Sequence, residues 1–240
     1  MLNSSRYAAV GAVFAACVGA GGSWAQAPTT AVHAVYDPVI NPEDFVPKVD
    51  NKYFTLKPGT KFTYQDKRGM DRVEISVTNE TRKVMGVTTT VVRVRESRNG
   101  LLREDTYDWY AQDKAGNVWY FGEAVDVYED GKLAHHKGSW EAGVNGAKPG
   151  IVMPKDPRVG DMYRQEYYRE QAEDTGTFVA IGKKVTVPHG TFEKCVQIRD
   201  SIPFDTTAEY KSYCPGIGFL ALEEVGSWGA QSELASISRQ

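Results

Sequence analysis

The chain has 240 residues, of which 41% are hydrophobic, 11% aromatic and 25% charged, which excludes a disordered or fibrous protein. A formal net charge of −3 argues against nucleic acid or an anionic membrane surface as the main partner. The length suffices for a sizeable core, as one β-type domain or two smaller ones.

Residues 1–27 read as a secretory signal peptide. They hold one basic residue, Arg6, an apolar and small-residue run from Tyr7 to Gly22, and the small-x-small cleavage pattern of Ser23-Trp24-Ala25-Gln26-Ala27. The run is too short and glycine-rich to span a bilayer, and no later segment is apolar enough for a transmembrane helix. The expected location is periplasmic or secreted. An alternative takes Phe14-Ala15-Ala16-Cys17 as a lipobox, with Cys17 acylated as an anchor. Residues 28–52 are proline-rich and non-periodic, an extended lead-in, and residues 53–240 form one expected β domain.

From Thr60 onward the pattern alternates with period two, and Arg72–Thr78 and Val87–Val94 are rich in β-branched residues. Turn signals recur at strand-like intervals, the strongest being Asn99-Gly100 and Asp130-Gly131. The expected fold is all-β and antiparallel, barrel-like or a two-sheet sandwich. A weak internal repeat divides it. Gly59 and Phe62 match Gly160 and Tyr163, Arg95-Glu96 matches Arg199-Asp200, and Tyr107 and Tyr110 match Tyr210 and Tyr213. Two five-strand modules, 53–137 and 158–240, would then be joined by a loop, 138–157. Its glycines and prolines predict no regular element, with Trp140 either covering a barrel mouth or pinning a crossover.

If Cys17 leaves with the leader, two cysteines remain. A hairpin centred between Phe204 and Asp205 sets Cys195 opposite Cys214 on paired strands, within disulfide reach. The alternative is two buried thiols in a core hairpin.

Between Asp108 and Glu123 the chain reads Asp-Trp-Tyr-Ala-Gln-Asp-Lys-Ala-Gly-Asn-Val-Trp-Tyr-Phe-Gly-Glu. This motif, with Gly138–Gly143, Tyr163–Tyr168 and Tyr213–Gly218, resembles a family of uncharacterised bacterial secreted proteins and lipoproteins. The resemblance covers about Tyr53 to Glu224 and implies an exported all-β protein, with no catalytic residue to carry over. Cys214 stands where that family has a tyrosine, so the resemblance does not support the disulfide.

The same acid-aromatic pattern supplies the candidate site. On a hairpin turning at Asp113–Asn117, Tyr107 and Trp109 share one strand face, and Trp119, Phe121 and Glu123 share a face on the return. Arg164 and Glu166 fall on one face of a later strand, opposite Tyr163. Tyr107, Trp109, Trp119, Phe121, Trp140 and Arg164 are therefore candidate ligand-binding residues, and Asp108, Glu123 and Glu166 candidate general acids and bases. The competing reading makes the aromatics core and the acids solvated or paired with arginine. Among His33, His135, His136 and His189 no metal-ligand spacing occurs, and no nucleotide, zinc or hydrolase motif is present, so no metal and no cofactor is expected. The function expected is binding of a small-molecule ligand in an aromatic and carboxylate-lined cavity. The alternatives are an extracytoplasmic hydrolase, lyase or isomerase, or an envelope interaction protein using residues 138–157. The sequence leaves the oligomeric state open.

Overall fold

A computed structural model describes residues 36–203, 208–226 and 230–239. The expected signal peptide and Cys17 lie outside the described residues. A short 3-10 turn, Pro42–Asp44, leads into β1 (Phe45–Val46), β2 (Val49–Asp50) and β3 (Thr55–Leu56). A meander follows: β4 (Thr60–Gln65), β5 (Asp71–Val84), β6 (Val87–Arg98), β7 (Leu101–Asp113) and β8 (Val118–Glu129). Then come β9 (Lys132–His135), β10 (Trp140–Glu141), β11 (Lys148–Met153), β12 (Met162–Arg164) and β13 (Glu166–Tyr167). The second meander is β14 (Thr175–Val187), β15 (Gly190–Ser201), β16 (Glu209–Tyr213), β17 (Leu220–Val225) and β18 (Ala230–Arg239).

All pairings are antiparallel, and the strands run β12-β14-β15-β16-β17-β18-β4-β5-β6-β7-β8-β11-β13 around a nearly closed barrel, with β2-β3 as a small second sheet. Apart from β13, which pairs with β11, the order divides where β18 pairs with β4 into two six-strand runs, β4-β5-β6-β7-β8-β11 and β12-β14-β15-β16-β17-β18.

β11 corrects the expectation that 138–157 holds no regular element. Ile151 pairs with Trp119 on one side and Pro149 with Glu166 on the other, so this segment is a wall of the barrel. Pro149 is tolerated because pairing with β8 begins only at Gly150, which leaves the missing donor at the strand end. Gly150 permits closure: a Cβ there would fall inside the backbone of Arg164 and Gln165. The two open edges, β12 and β13, are joined through Gln165, so the chain itself bridges the remaining seam.

Inward positions follow strand alternation. Phe62, Tyr64, Ile75, Val77, Val92, Val94, Tyr110, Phe178, Val196, Ile198, Tyr213 and Leu234 are buried. The lead-in caps one end. Thr55 N–H donates to Gly218 O at 2.8 Å, Asn51 Nδ2 to Gly116 O at 2.9 Å, and Gln112 Oε1 accepts from the Asp50 and Asn51 N–H groups at 2.9 and 2.8 Å. Phe54, fully buried, then packs against Tyr110, Tyr213 and Phe219 with ring centroids 5.2, 6.2 and 4.7 Å away. Outward positions carry ion pairs: Lys61–Glu74 at 2.9 Å, Arg72–Glu74 at 2.8 Å and Arg82–Glu141 at 2.6 Å. Among the described residues no helix is long and apolar enough to cross a membrane.

Cys195 and Cys214 form a disulfide with Cα atoms 4.1 Å apart. The neighbouring pair Val196↔Tyr213 shows the expected register of β15 on β16.

Candidate functional site

Asp108, Glu123 and Glu166, the three acids singled out from sequence, all lie inside the barrel and are 1–2% exposed. Asp108 on β7 pairs directly with Glu123 on β8. Glu166 on β13 lies across β11, through its pairing with Pro149. The Tyr120 hydroxyl donates to Asp108 Oδ1 at 2.8 Å, and Tyr120 stacks on Tyr110 with centroids 4.9 Å apart. Trp140, paired with Glu123, meets the edge of Tyr120 at 5.3 Å. Asp108 Oδ2, Glu123 Oε1, both oxygens of Glu166, the Tyr110 hydroxyl and the Trp140 indole N–H are buried without a hydrogen-bond partner among the described residues. Buried polar groups are normally satisfied, so this concentration in one place calls for a physical reason.

The acids are not stabilised as anions. Burial raises the pKa of Asp108 well above the usual carboxylate range, against a pull from the Tyr120 hydroxyl. Burial raises Glu123 likewise, helped by repulsion from Asp108 and Glu166. Glu166 is raised by burial and by Asp174, with Lys211 pulling against it; the Trp140 indole faces it without closing a full hydrogen bond. Glu96, on β6, is raised by burial and by repulsion from Glu104.

Across the barrel the second run handles its acids differently. Lys211 on β16 is buried, with Nζ 2.7 Å from Asp200 Oδ2 and 3.8 Å from both Glu209 Oε2 and Glu223 Oε1. Burial would lower its pKa, but Asp200, Glu223 and Glu209 together hold it well above the usual lysine value. Glu223 is nevertheless pushed up to about 8, burial outweighing the pull of Lys211. Asp174 is pushed up to about 7 on the same balance.

The other sequence candidates divide. Trp140 belongs to the interior cluster. Tyr107, Trp109, Trp119 and Phe121 lie on the outer face of the barrel wall, where Trp109 and Phe121 are nevertheless buried, and Arg164 lies outside as well. Arg93 covers Tyr107 at 5.3 Å, Arg82 covers Trp109 at 4.1 Å, and Phe45 of the lead-in packs on Trp119 and Phe121 at 6.2 and 5.5 Å. Two face assignments are corrected here. A bulge between the pairs Asp108↔Glu123 and Tyr110↔Tyr120 puts Tyr120 and Glu123 inside and leaves Trp119 and Phe121 outside. It is centred on Gly122, at φ 128°, where any side chain would collide with the Trp140 backbone. Likewise Arg164 and Glu166 do not share a face, because the strand breaks at Gln165. Arg164 lies over the rings of Tyr36 and Tyr167 at 5.6 and 5.1 Å, while Glu166 turns inward. Tyr120, Tyr110, Glu96 and Lys211 were not singled out from sequence. The internal repeat was the usable signal, since the offset carrying Tyr110 onto Tyr213 also carries Asp108 onto Lys211.

No family model matches the chain, and neither a curated protein nor a solved structure matches it.

Proposed function

We propose that the barrel is an exported binding protein whose interior, between β7, β8, β10 and β13, takes a small polar ligand. One observation carries this reading. Six buried polar atoms or groups around Asp108, Glu123, Glu166, Tyr110 and Trp140 lack partners, although the surrounding aromatic rings hold them in fixed positions. Unpaired buried polar groups cost about 1–3 kcal/mol each, and a ligand that satisfies them recovers that cost as affinity. The tyrosine and tryptophan rings supply the apolar walls that such sites ordinarily combine with a few polar groups. An oxidising compartment favours the Cys195–Cys214 bond, which supports export.

Native mass spectrometry and thermal shift of the exported chain test the reading, against sugars, amines, amino acids and aromatic acids. Retained ligand mass with a raised midpoint is the expected result. Loss of that shift in Glu123→Gln or Glu166→Gln places the ligand inside the barrel. If no compound of any class is retained, binding in the interior is wrong. Conversion of the bound compound over time would instead make Asp108 and Glu123 general acid and base.

A further inference from the structure

We infer that the ligand is an organic cation carrying a protonated amine, received by Asp108, Glu123 and Glu166 beside the rings of Tyr110, Tyr120 and Trp140. This rests on the binding reading above and specifies its chemistry. The first support is the sign of the unmet demand. Carboxyl oxygens without partners include Glu96 Oε1, Asp108 Oδ2, Glu123 Oε1, both of Glu166 and Asp174 Oδ1, whereas the Trp140 N–H is the one partnerless donor-only group beside them. Once their protons leave, these oxygens are acceptors only, which suits a guest rich in N–H donors.

The second support is that the barrel already holds one ammonium in this manner. Lys211 Nζ lies among Asp200, Glu209 and Glu223 in the second run. In the first run the corresponding inward position, two residues before the buried tyrosine, is Asp108. That run therefore has Asp71, Glu96, Glu104, Asp108 and Glu123 with no buried lysine among the described residues, and the other groups that act on the cluster are Glu166 on β13, Asp174, Lys211 and Glu223. The tyrosines facing it, Tyr110 and Tyr120, stay neutral because burial raises both. Their stacked faces, with Trp140 at right angles, suit an alkylammonium through cation–π attraction. A bare metal ion fits less well. Among the described residues no three His, Cys, Asp or Glu side chains converge as metal ligands do.

Protons follow from the same arrangement. With the interior vacant the acids retain protons, and an ammonium entering among them releases some of these to solvent. Affinity for putrescine and tyramine should therefore rise as pH increases from about 6 to about 8, both amines staying charged throughout.

Titration calorimetry with matched pairs tests this: putrescine against butanediol, tyramine against tyrosol, and glucosamine against glucose. Each pair exchanges ammonium for hydroxyl in nearly the same shape. The expected result is at least tenfold tighter binding of one amine than of its neutral twin, with heats that differ between phosphate and Tris because protons leave. Glu123→Gln with Glu166→Gln should abolish the preference, while Glu193→Gln, on the exposed β14–β15 hairpin, keeps it. Circular dichroism confirms that each variant is folded, and the single Glu166→Gln serves if the double variant is not. Equal binding of amine and neutral twin overturns the cation inference and leaves the binding reading standing. Absence of binding by every compound, amine or neutral, overturns both.

Discussion

The two runs of the barrel solve one problem in two ways. Both bring carboxyl groups inside, on strands that also bear a buried tyrosine, Tyr110 in one and Tyr213 in the other. In the β12–β18 run an internal ammonium, Lys211, gathers Asp200, Glu209 and Glu223. In the β4–β11 run Asp108 and Glu123 face each other with Glu166 nearby; Lys211 pulls only weakly on Glu166, and none of the three has an ion pair among the described residues. A paired interior charge contributes to one defined structure, whereas an unpaired acid is a cost unless something outside the chain completes it.

The largest expected effect comes from removing the difference. Lys211→Met leaves Asp200 buried without its 2.7 Å partner and should destabilise the protein by about 3–5 kcal/mol, the range for breaking a buried ion pair from one side. Denaturant unfolding near neutral pH measures it. A loss under about 1 kcal/mol would mean that the Lys211–Asp200 pair contributes little and that the runs do not differ in this way. Reduction of Cys195–Cys214 acts on the second run alone and should cost about 3 kcal/mol, as for loops of this length. Unfolding with and without reductant shows it, and the amine selectivity of the first run should persist in the reduced, folded protein.

The strand pairing of the second run was legible because its hairpin register follows from alternation, which is why Cys195 could be set opposite Cys214. All-β character was legible for the same reason. The bulge at Gly122 was not, since it arises from the approach of the Trp140 backbone, a contact distant in sequence that turns Glu123 to the face opposite Trp119 and Phe121. β11 was hidden by Pro149 and Gly150, residues that argue against a strand locally but serve barrel closure. The acids were found because three carboxyls amid aromatics form an unusual composition. Their neutral state was not, because it depends on burial that only the closed barrel creates.

A pH effect of intermediate size follows from that burial. Glu223 and Asp174 titrate at about 8 and about 7 in the folded chain, above ordinary carboxyl values, and Asp108, Glu123 and Glu166 are raised as well. Between the unfolded and folded values the native state binds more protons than the unfolded chain, so unfolding free energy falls as pH rises. The stabilising contribution is complete below about pH 4, where both states are protonated, and declines from about pH 5 to beyond pH 8. Melting temperature measured across that range should drop steadily without ligand. A flat or rising profile would show that the interior acids are ionised and paired, and the contrast between the runs would fail.

The smallest effect is the most discriminating, because it has the opposite sign from ordinary core damage. Glu123→Gln keeps the shape of the side chain while removing the charge that burial and Asp108 disfavour. At about pH 8 the vacant protein should gain about 0.5–2 kcal/mol, a size common when a strained functional group is replaced. At about pH 5, where Glu123 keeps its proton, the gain should nearly vanish. Glu223→Gln provides the internal contrast: burial raises Glu223 as well but Lys211 pulls against it, so this variant should gain less than Glu123→Gln. An acid pulled by Lys211 should gain less on losing its charge than one without that pull, and the size of the two differences separates Glu223 from Glu123 without any ligand in hand.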